Sequence, residues 1–102
     1  MEIQEVTSLE GINDPLIVVD FYATFCQPCK ILLPILTKVN ELGLCKIVKV
    51  KADSEEGKVL VQEYGIKNVP TLLFIKNGEV VFKHVGIASH ETIVKLIETH
   101  KS

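Results

Sequence analysis

Residues 25–30 read Phe25-Cys26-Gln27-Pro28-Cys29-Lys30, and they join two segments of different pattern. The apolar, β-branched run of residues 16–22 before them is typical of a strand covered on both faces. After them, residues 27–42 carry apolar side chains at helical spacing. The cysteine pair is therefore predicted where a strand ends and a helix begins. Free N–H groups at a helix N-terminus favour a thiolate, so we expect a lowered pKa for Cys26 and a disulfide partner in Cys29.

The composition indicates an ordinary globular protein. The 102 residues predict a single domain over 1–102, with 47% hydrophobic and 24% charged residues. A net charge of −2 without any basic run argues against general nucleic-acid binding. No apolar stretch approaches the length of a membrane span. The N-terminus lacks the basic and apolar parts of a signal peptide, so we expect a cytoplasmic protein. A secreted form trimmed of its leader would look the same.

The order of predicted elements gives an α/β fold. The strand–helix–strand segment around the cysteines implies a parallel pair, whereas Asn77-Gly78 predicts a hairpin and an antiparallel pair. Together these elements predict a mixed sheet with helices on both faces. Strands are predicted over 2–6, 16–22, 46–52, 71–76 and 79–85, and helices over 27–42, from 53 or 54 to 64, from 89 to about 100, and briefly from Ser8 to Gly11 or Asn13.

The spacing of Cys26 and Cys29 suits a reversible dithiol/disulfide couple. The alternatives are half of a zinc site or two unrelated thiols. Zinc requires four ligands, usually with a second close Cys or His pair. The remaining candidates are not paired at ligand spacing, so we expect no metal: Cys45, His84, His90 and His100. We expect the histidines to be surface residues.

Several motifs together resemble the thioredoxin family. Residues 19–30 resemble its active-site segment, residues 64–72 its second signature, and residues 76–79 and Val85-Gly86 its later landmarks. The resemblance implies a thioredoxin fold, with a central mixed five-stranded sheet and about four helices. It also implies a monomeric thiol–disulfide oxidoreductase that reduces disulfides in protein substrates. Such a protein needs no cofactor, and its electrons come from a thioredoxin reductase.

The same resemblance assigns roles to four residues. Cys26 is the nucleophile that forms a mixed disulfide, and Cys29 resolves it. Asp20, which interrupts an apolar strand, is a buried carboxyl group that moves a proton for Cys29. Its alternative is a side chain that escapes to solvent or caps a turn. Lys49 matches a lysine that could tune Asp20, or it is simply a solvated lysine of its strand.

The resemblance also implies a substrate-contact surface. In the family the bond before the proline of residues 64–72 is cis, so Val69 would offer its backbone groups to an extended peptide. A trans proline at the start of a strand is the alternative. Gly86 allows a partner backbone to approach, or it only makes a turn. The expected surface comprises Phe25, Gln27, Pro28, Val69, Pro70 and Gly86.

Two positions depart from the family pattern. Thioredoxins usually have Trp before the first cysteine and Gly after it, where this chain has Phe25 and Gln27. These changes leave the reduction potential open. An oxidase or isomerase of an oxidising compartment, or a non-catalytic binding module, is therefore an alternative function. We expect Cys45 to be a small buried hydrophobic residue; regulation through its oxidation is the alternative.

Overall fold

The computed structural model describes residues 2–101 and forms five strands and three helices within them. After two successive strands, helices and strands alternate up to the final hairpin, and the last helix follows that hairpin. In chain order they are β1 (Gln4–Glu5), β2 (Leu16–Tyr22), α1 (Gln27–Asn40), β3 (Lys46–Lys51), α2 (Glu55–Tyr64), β4 (Thr71–Lys76), β5 (Glu79–Val85) and α3 (His90–Lys101).

The five strands form one mixed sheet in the order β1-β3-β2-β4-β5. Strand β3 pairs in parallel with β1 and β2, whereas β4 is antiparallel to β2 and β5. The hairpin between β4 and β5 turns at Asn77 and Gly78, whose φ angles are 51° and 84°. A tight hairpin turn with positive φ at both central residues favours this Asn-Gly pair. The predicted mixed sheet is confirmed.

Helices cover both faces of the sheet, because strand residues alternate between the two sides. Val18 and Phe74 pack with α1 and α3 in one buried cluster. Val19, Phe21 and Val50 pack with α2 in the other. Strand β2 lies centrally and contributes to both clusters, which is why its sequence is almost continuously apolar.

The expected count of about four helices is wrong, because the structure has three among the described residues. The segment that follows Ser8 forms a turn instead of a helix. The Ser8 hydroxyl accepts a hydrogen bond from the Glu10 N–H only two residues on, at 3.1 Å. Gly11 then takes a left-handed φ of 81°. So short a segment cannot repay the entropy of starting a helix.

The other helix boundaries were predicted closely. Helix α1 ends at Asn40 rather than at residue 42, because the Leu42 and Gly43 N–H groups donate to carbonyls three residues back and tighten the chain. Helix α2 begins after Ser54, whose hydroxyl accepts from the Gly57 N–H at 2.9 Å. It ends at Tyr64, and the C-cap residue Gly65 adopts a left-handed conformation.

Candidate active site

The cysteine pair lies at the N-terminus of α1. Cys26 is the N-cap residue in an extended conformation, and its sulfur accepts a hydrogen bond from the Cys29 N–H at 3.3 Å. The two residues form a disulfide, with their Cα atoms 5.2 Å apart. Cys26 is 8% exposed and Cys29 is 4% exposed. The pair can therefore exist as a disulfide, with one sulfur at the helix end and the other further inside.

The sequence between the cysteines allows the helix to begin there. Pro28 occupies the first turn, where its missing N–H leaves no helical hydrogen bond unmade. The first intrahelical bond runs from the Lys30 N–H to the Cys26 carbonyl at 3.2 Å. Gln27 and Pro28 are exposed, and Phe25 is 95% exposed. These three exposed residues are therefore the immediate chain neighbours of the cysteines.

Asp20 is a buried carboxyl group in the central strand β2. Its side chain is 2% exposed, and its Oδ1 atom has no hydrogen-bond partner among residues 2–101. Burial disfavours the charged carboxylate and raises the pKa of Asp20 to about 7, and the positive charge of Lys49 partly opposes this rise. The predicted burial is confirmed, and the alternative in which the side chain reaches solvent is wrong.

A cavity of about 140 Å³ brings Asp20 and Cys29 together. A water molecule occupies roughly 10–15 Å³ of such volume, so the cavity has room for water beside polar groups. Asp20 and Cys29 therefore line one cavity, and proton transfer between them stays a prediction. The walls are formed by Asp20, Tyr22, Ala23, Thr24, Cys29, Lys30, Leu33 and Lys49.

Lys49 lies in the middle of a row of charges that crosses three strands. It is the direct partner of Glu5 on β1 and of Asp20 on β2. Its Nζ atom lies 5.7 Å from the centroid of the Tyr22 ring, and the Tyr22 hydroxyl donates a hydrogen bond to the Glu5 carboxylate. Tyr22 and Glu5 were not predicted as site residues. Side chains alternate between the two faces of β2, so Tyr22 lies on the same face as Asp20. This alternation is the sequence signal that could have identified Tyr22 as a site residue.

The loop before β4 and the end of β5 are joined by one backbone hydrogen bond. The Val69–Pro70 peptide bond is cis, as predicted. The Gly86 N–H donates to the Pro70 carbonyl at 2.9 Å, and Gly86 has a φ of 97°, a conformation that favours glycine. Pro70 is buried, while Val69 and Gly86 are half-buried. Whether these residues contact substrate stays a prediction.

The remaining cysteine and histidines lie outside this site. Cys45 is half-buried, and burial raises the pKa of its thiol to about 11. The expectation that all histidines are surface residues is wrong for His100. Its half-buried ring lies 5.3 Å from that of Phe82 and 5.8 Å from that of Phe74, measured between centroids. Within residues 2–101, no group of three or more His, Cys, Asp or Glu side chains could hold a metal ion.

Known proteins resemble this chain over most of its length. The Thioredoxin family model matches residues 4–99. Thioredoxin from Bacillus subtilis is 34% identical over 88 residues, which cover 86% of this chain and 85% of that protein. Mitochondrial thioredoxin from Bos taurus is 46% identical over 77 residues, covering 76% and 46% respectively. A mutant thioredoxin from Halobacterium salinarum superposes with a TM-score of 0.89 at 28% identity, covering 99% and 92%.

Proposed function

The chain belongs to the thioredoxin family of thiol–disulfide oxidoreductases, and we propose the route by which it reduces disulfides in protein substrates. The protein has the thioredoxin fold and a redox-active cysteine pair. The observation that carries the proposed route is the disulfide at the start of α1, whose inner cysteine shares a cavity with the buried Asp20.

Cys26 makes the first attack in this route. In the reduced protein its sulfur lies at the helix N-terminus, where free N–H groups and the helix dipole stabilise a thiolate. The thiolate attacks one sulfur of the substrate disulfide. The substrate S–S bond breaks, a mixed disulfide with Cys26 forms, and the second substrate sulfur leaves as a thiolate.

Cys29 completes the reduction with Asp20 as its base. Asp20 accepts the Cys29 proton inside the cavity, and a carboxyl group with a pKa of about 7 is suited to proton transfer at neutral pH. The Cys29 thiolate attacks the Cys26 sulfur and breaks the mixed disulfide. The substrate then leaves with both of its sulfurs reduced. The two electrons have come from the cysteine pair, which ends as the Cys26–Cys29 disulfide.

The substrate binds, in this proposal, to the surface around the disulfide. Phe25 supplies an exposed aromatic ring beside Cys26. Val69 supplies backbone groups that can pair with an extended peptide, as in strand addition. The hydrogen bond from Gly86 to Pro70 holds two sides of this surface together. The contact residues are Phe25, Gln27, Pro28, Val69, Pro70 and Gly86.

The same proposal specifies the setting of the reaction. The family acts on disulfide substrates with a thioredoxin reductase, and we take such a reductase as the electron donor that returns the pair to the dithiol. A protein that donates electrons from thiols suits a reducing compartment, so we place it in the cytoplasm. It acts as a monomer of one domain over residues 1–102, without cofactor or metal. No helix among residues 2–101 is long and apolar enough to cross a membrane.

Insulin reduction by dithiothreitol tests whether the protein reduces disulfides and whether Cys26 is the nucleophile. The wild type should accelerate the reduction, and Cys26→Ser should not, because the attacking thiolate is gone. Equal acceleration by Cys26→Ser, or none by the wild type, would indicate a binding module instead.

Equilibration with glutathione, which gives the reduction potential, decides between a reductase and an oxidase or isomerase. A strongly oxidising potential would overturn the reductase proposal.

A further inference from the structure

The row of alternating charges across β1, β3 and β2 has a consequence for Asp20. Lys49 is flanked by two carboxyl groups, since Glu5 and Asp20 are its direct partners on the neighbouring strands. Directly opposed strand residues lie on the same face, so all three side chains start from the α1 side of the sheet. In the sheet, Lys49 thus lies between an exposed acidic residue and a buried one.

Tyr22 contacts both sides of this arrangement. Its hydroxyl donates a hydrogen bond to the Glu5 carboxylate. Its ring lies 5.7 Å from the Lys49 Nζ atom, within reach of a cation–π interaction. Tyr22 also lines the cavity that contains Asp20 and Cys29. The same side chain therefore engages the competing carboxylate and supports the lysine.

From these contacts we propose that Tyr22 is a positioning residue. It holds the Glu5 carboxylate away from Lys49, so that the positive charge of Lys49 acts on the Asp20 carboxyl group. This inference rests on the proposed role of Asp20 in the reaction. Loss of the Tyr22 hydroxyl would release the Glu5 carboxylate to pair with Lys49. The charge that favours ionised Asp20 would then be withdrawn, and Asp20 would become a weaker acid.

The other elements that pack around Asp20 contribute, within residues 2–101, an apolar partner and one further lysine. On β4 its direct partner is the apolar Leu72. Lys30 of α1 lines the cavity, but Lys49 is the cation whose charge lowers the pKa of Asp20. The titratable and charged groups around Asp20 are Tyr22 from β2, Lys49 from β3, Glu5 from β1, and Cys29 and Lys30 from α1.

Carboxyl carbon NMR titration of Asp20 in the oxidised protein tests this proposal. Tyr22→Phe retains the ring and removes the hydroxyl, so the Asp20 midpoint should rise by about one pH unit. Glu5→Gln in the Tyr22→Phe background should return the midpoint to the wild-type value or below, because the competing charge is absent. Tyr64→Phe, on the half-buried tyrosine of α2, is the matched control and should leave the midpoint unchanged.

A second set of variants tests whether the effect of Tyr22 requires Lys49. Lys49→Met should raise the Asp20 midpoint, and Tyr22→Phe in the Lys49→Met background should not raise this midpoint further. The proposal is overturned if Tyr22→Phe leaves the midpoint in place, or if it acts equally with and without Lys49. The pH profile of insulin reduction by the same variants is read separately. A midpoint that moves without any change in this profile contradicts the proposed role of Asp20 and leaves the positioning by Tyr22 supported.

Discussion

The two faces of β2 differ in what they bury. The residues that face α2 are apolar throughout, and Val19 and Phe21 are fully buried there. The α1 face begins in the same way with Leu16 and Val18, but it becomes polar towards the carboxyl end of the strand. Asp20 lies at that end, beside the cavity that contains Cys29. The comparison indicates that one face contributes stability, whereas the other gives up stability to bury an ionisable group.

Removal of the inner cysteine should have the largest effect on the reaction. Cys29→Ser leaves Cys26 free to attack but removes the thiol that resolves the mixed disulfide. Insulin turnover should fall to the uncatalysed level, and a covalent complex with Cys26 should accumulate on non-reducing gels. Cys45→Ser is the matched control, because Cys45 packs beside the core away from the cavity, and it should retain full turnover. Turnover at the wild-type rate without Cys29 would contradict the route.

A substitution on the α2 face should change stability and not chemistry. Phe21→Ala removes a fully buried ring, and we expect a loss of about 3–5 kcal/mol in the free energy of unfolding. The folded fraction should still reduce insulin at the wild-type rate. Urea denaturation with activity corrected for the folded fraction measures both quantities. A large loss of activity per folded molecule would remove the distinction between the faces.

Asp20→Asn should increase the free energy of unfolding, in contrast to Phe21→Ala, and the size of this increase should depend on pH. The folded protein raises the pKa of Asp20 from 3.8 to about 7, so the protonated carboxyl group is favoured on folding. Its stabilising contribution is complete below about pH 4 and is lost as the pH rises through 7. The side chain of the variant cannot ionise. Its free energy of unfolding should thus exceed that of the wild type by up to roughly 4 kcal/mol at pH 8 and match it near pH 4.

Denaturation of the oxidised wild type and Asp20→Asn at both pH values checks this sign. Resolution of the mixed disulfide should also become slower in the variant, since Cys29 loses its base. An equal stability difference at pH 4 and pH 8 would show that packing, and not ionisation, separates the two proteins.

The sequence predicted the regular elements of the fold well, and the reasons are local. The apolar run of β2, the Asn77-Gly78 turn and the caps at Ser54 and Gly65 each lie within a few neighbouring residues. The segment after Ser8 contained a cap signal as well. It forms a turn because too few residues follow before Gly11, and a cap residue alone does not define a helix.

The cysteine pair and Asp20 stand out in the sequence, whereas their neighbours depend on register. Asp20 interrupts an apolar strand, so its burial could be predicted. The contacts of Tyr22 with Glu5 and Lys49 depend on the pairing of three strands that are distant in the chain. His100 was wrongly predicted to be a surface residue. Its contacts with Phe74 and Phe82 join α3 to two strands that precede it in the chain. No local pattern indicates such contacts.

The smallest effect is expected at the surface beside the disulfide. Phe25 is 95% exposed, so Phe25→Ala should change the free energy of unfolding by no more than about 0.5 kcal/mol. It removes an aromatic contact for the substrate, and kcat/KM for insulin should fall by about 3- to 10-fold. Val59→Ala, on an exposed valine of α2, is the control and should alter neither quantity. An unchanged kcat/KM would remove Phe25 from the contact surface.

The central claim is that the cysteine pair itself passes two electrons to a protein disulfide. The direct measurement mixes the reduced protein with insulin in the absence of other thiols, followed by mass spectrometry of both. We predict that each protein molecule loses two hydrogen atoms, with Cys26 and Cys29 linked in one peptide, for every insulin disulfide that is reduced. Insulin reduced while both cysteines remain as free thiols, or insulin left intact, would contradict the account.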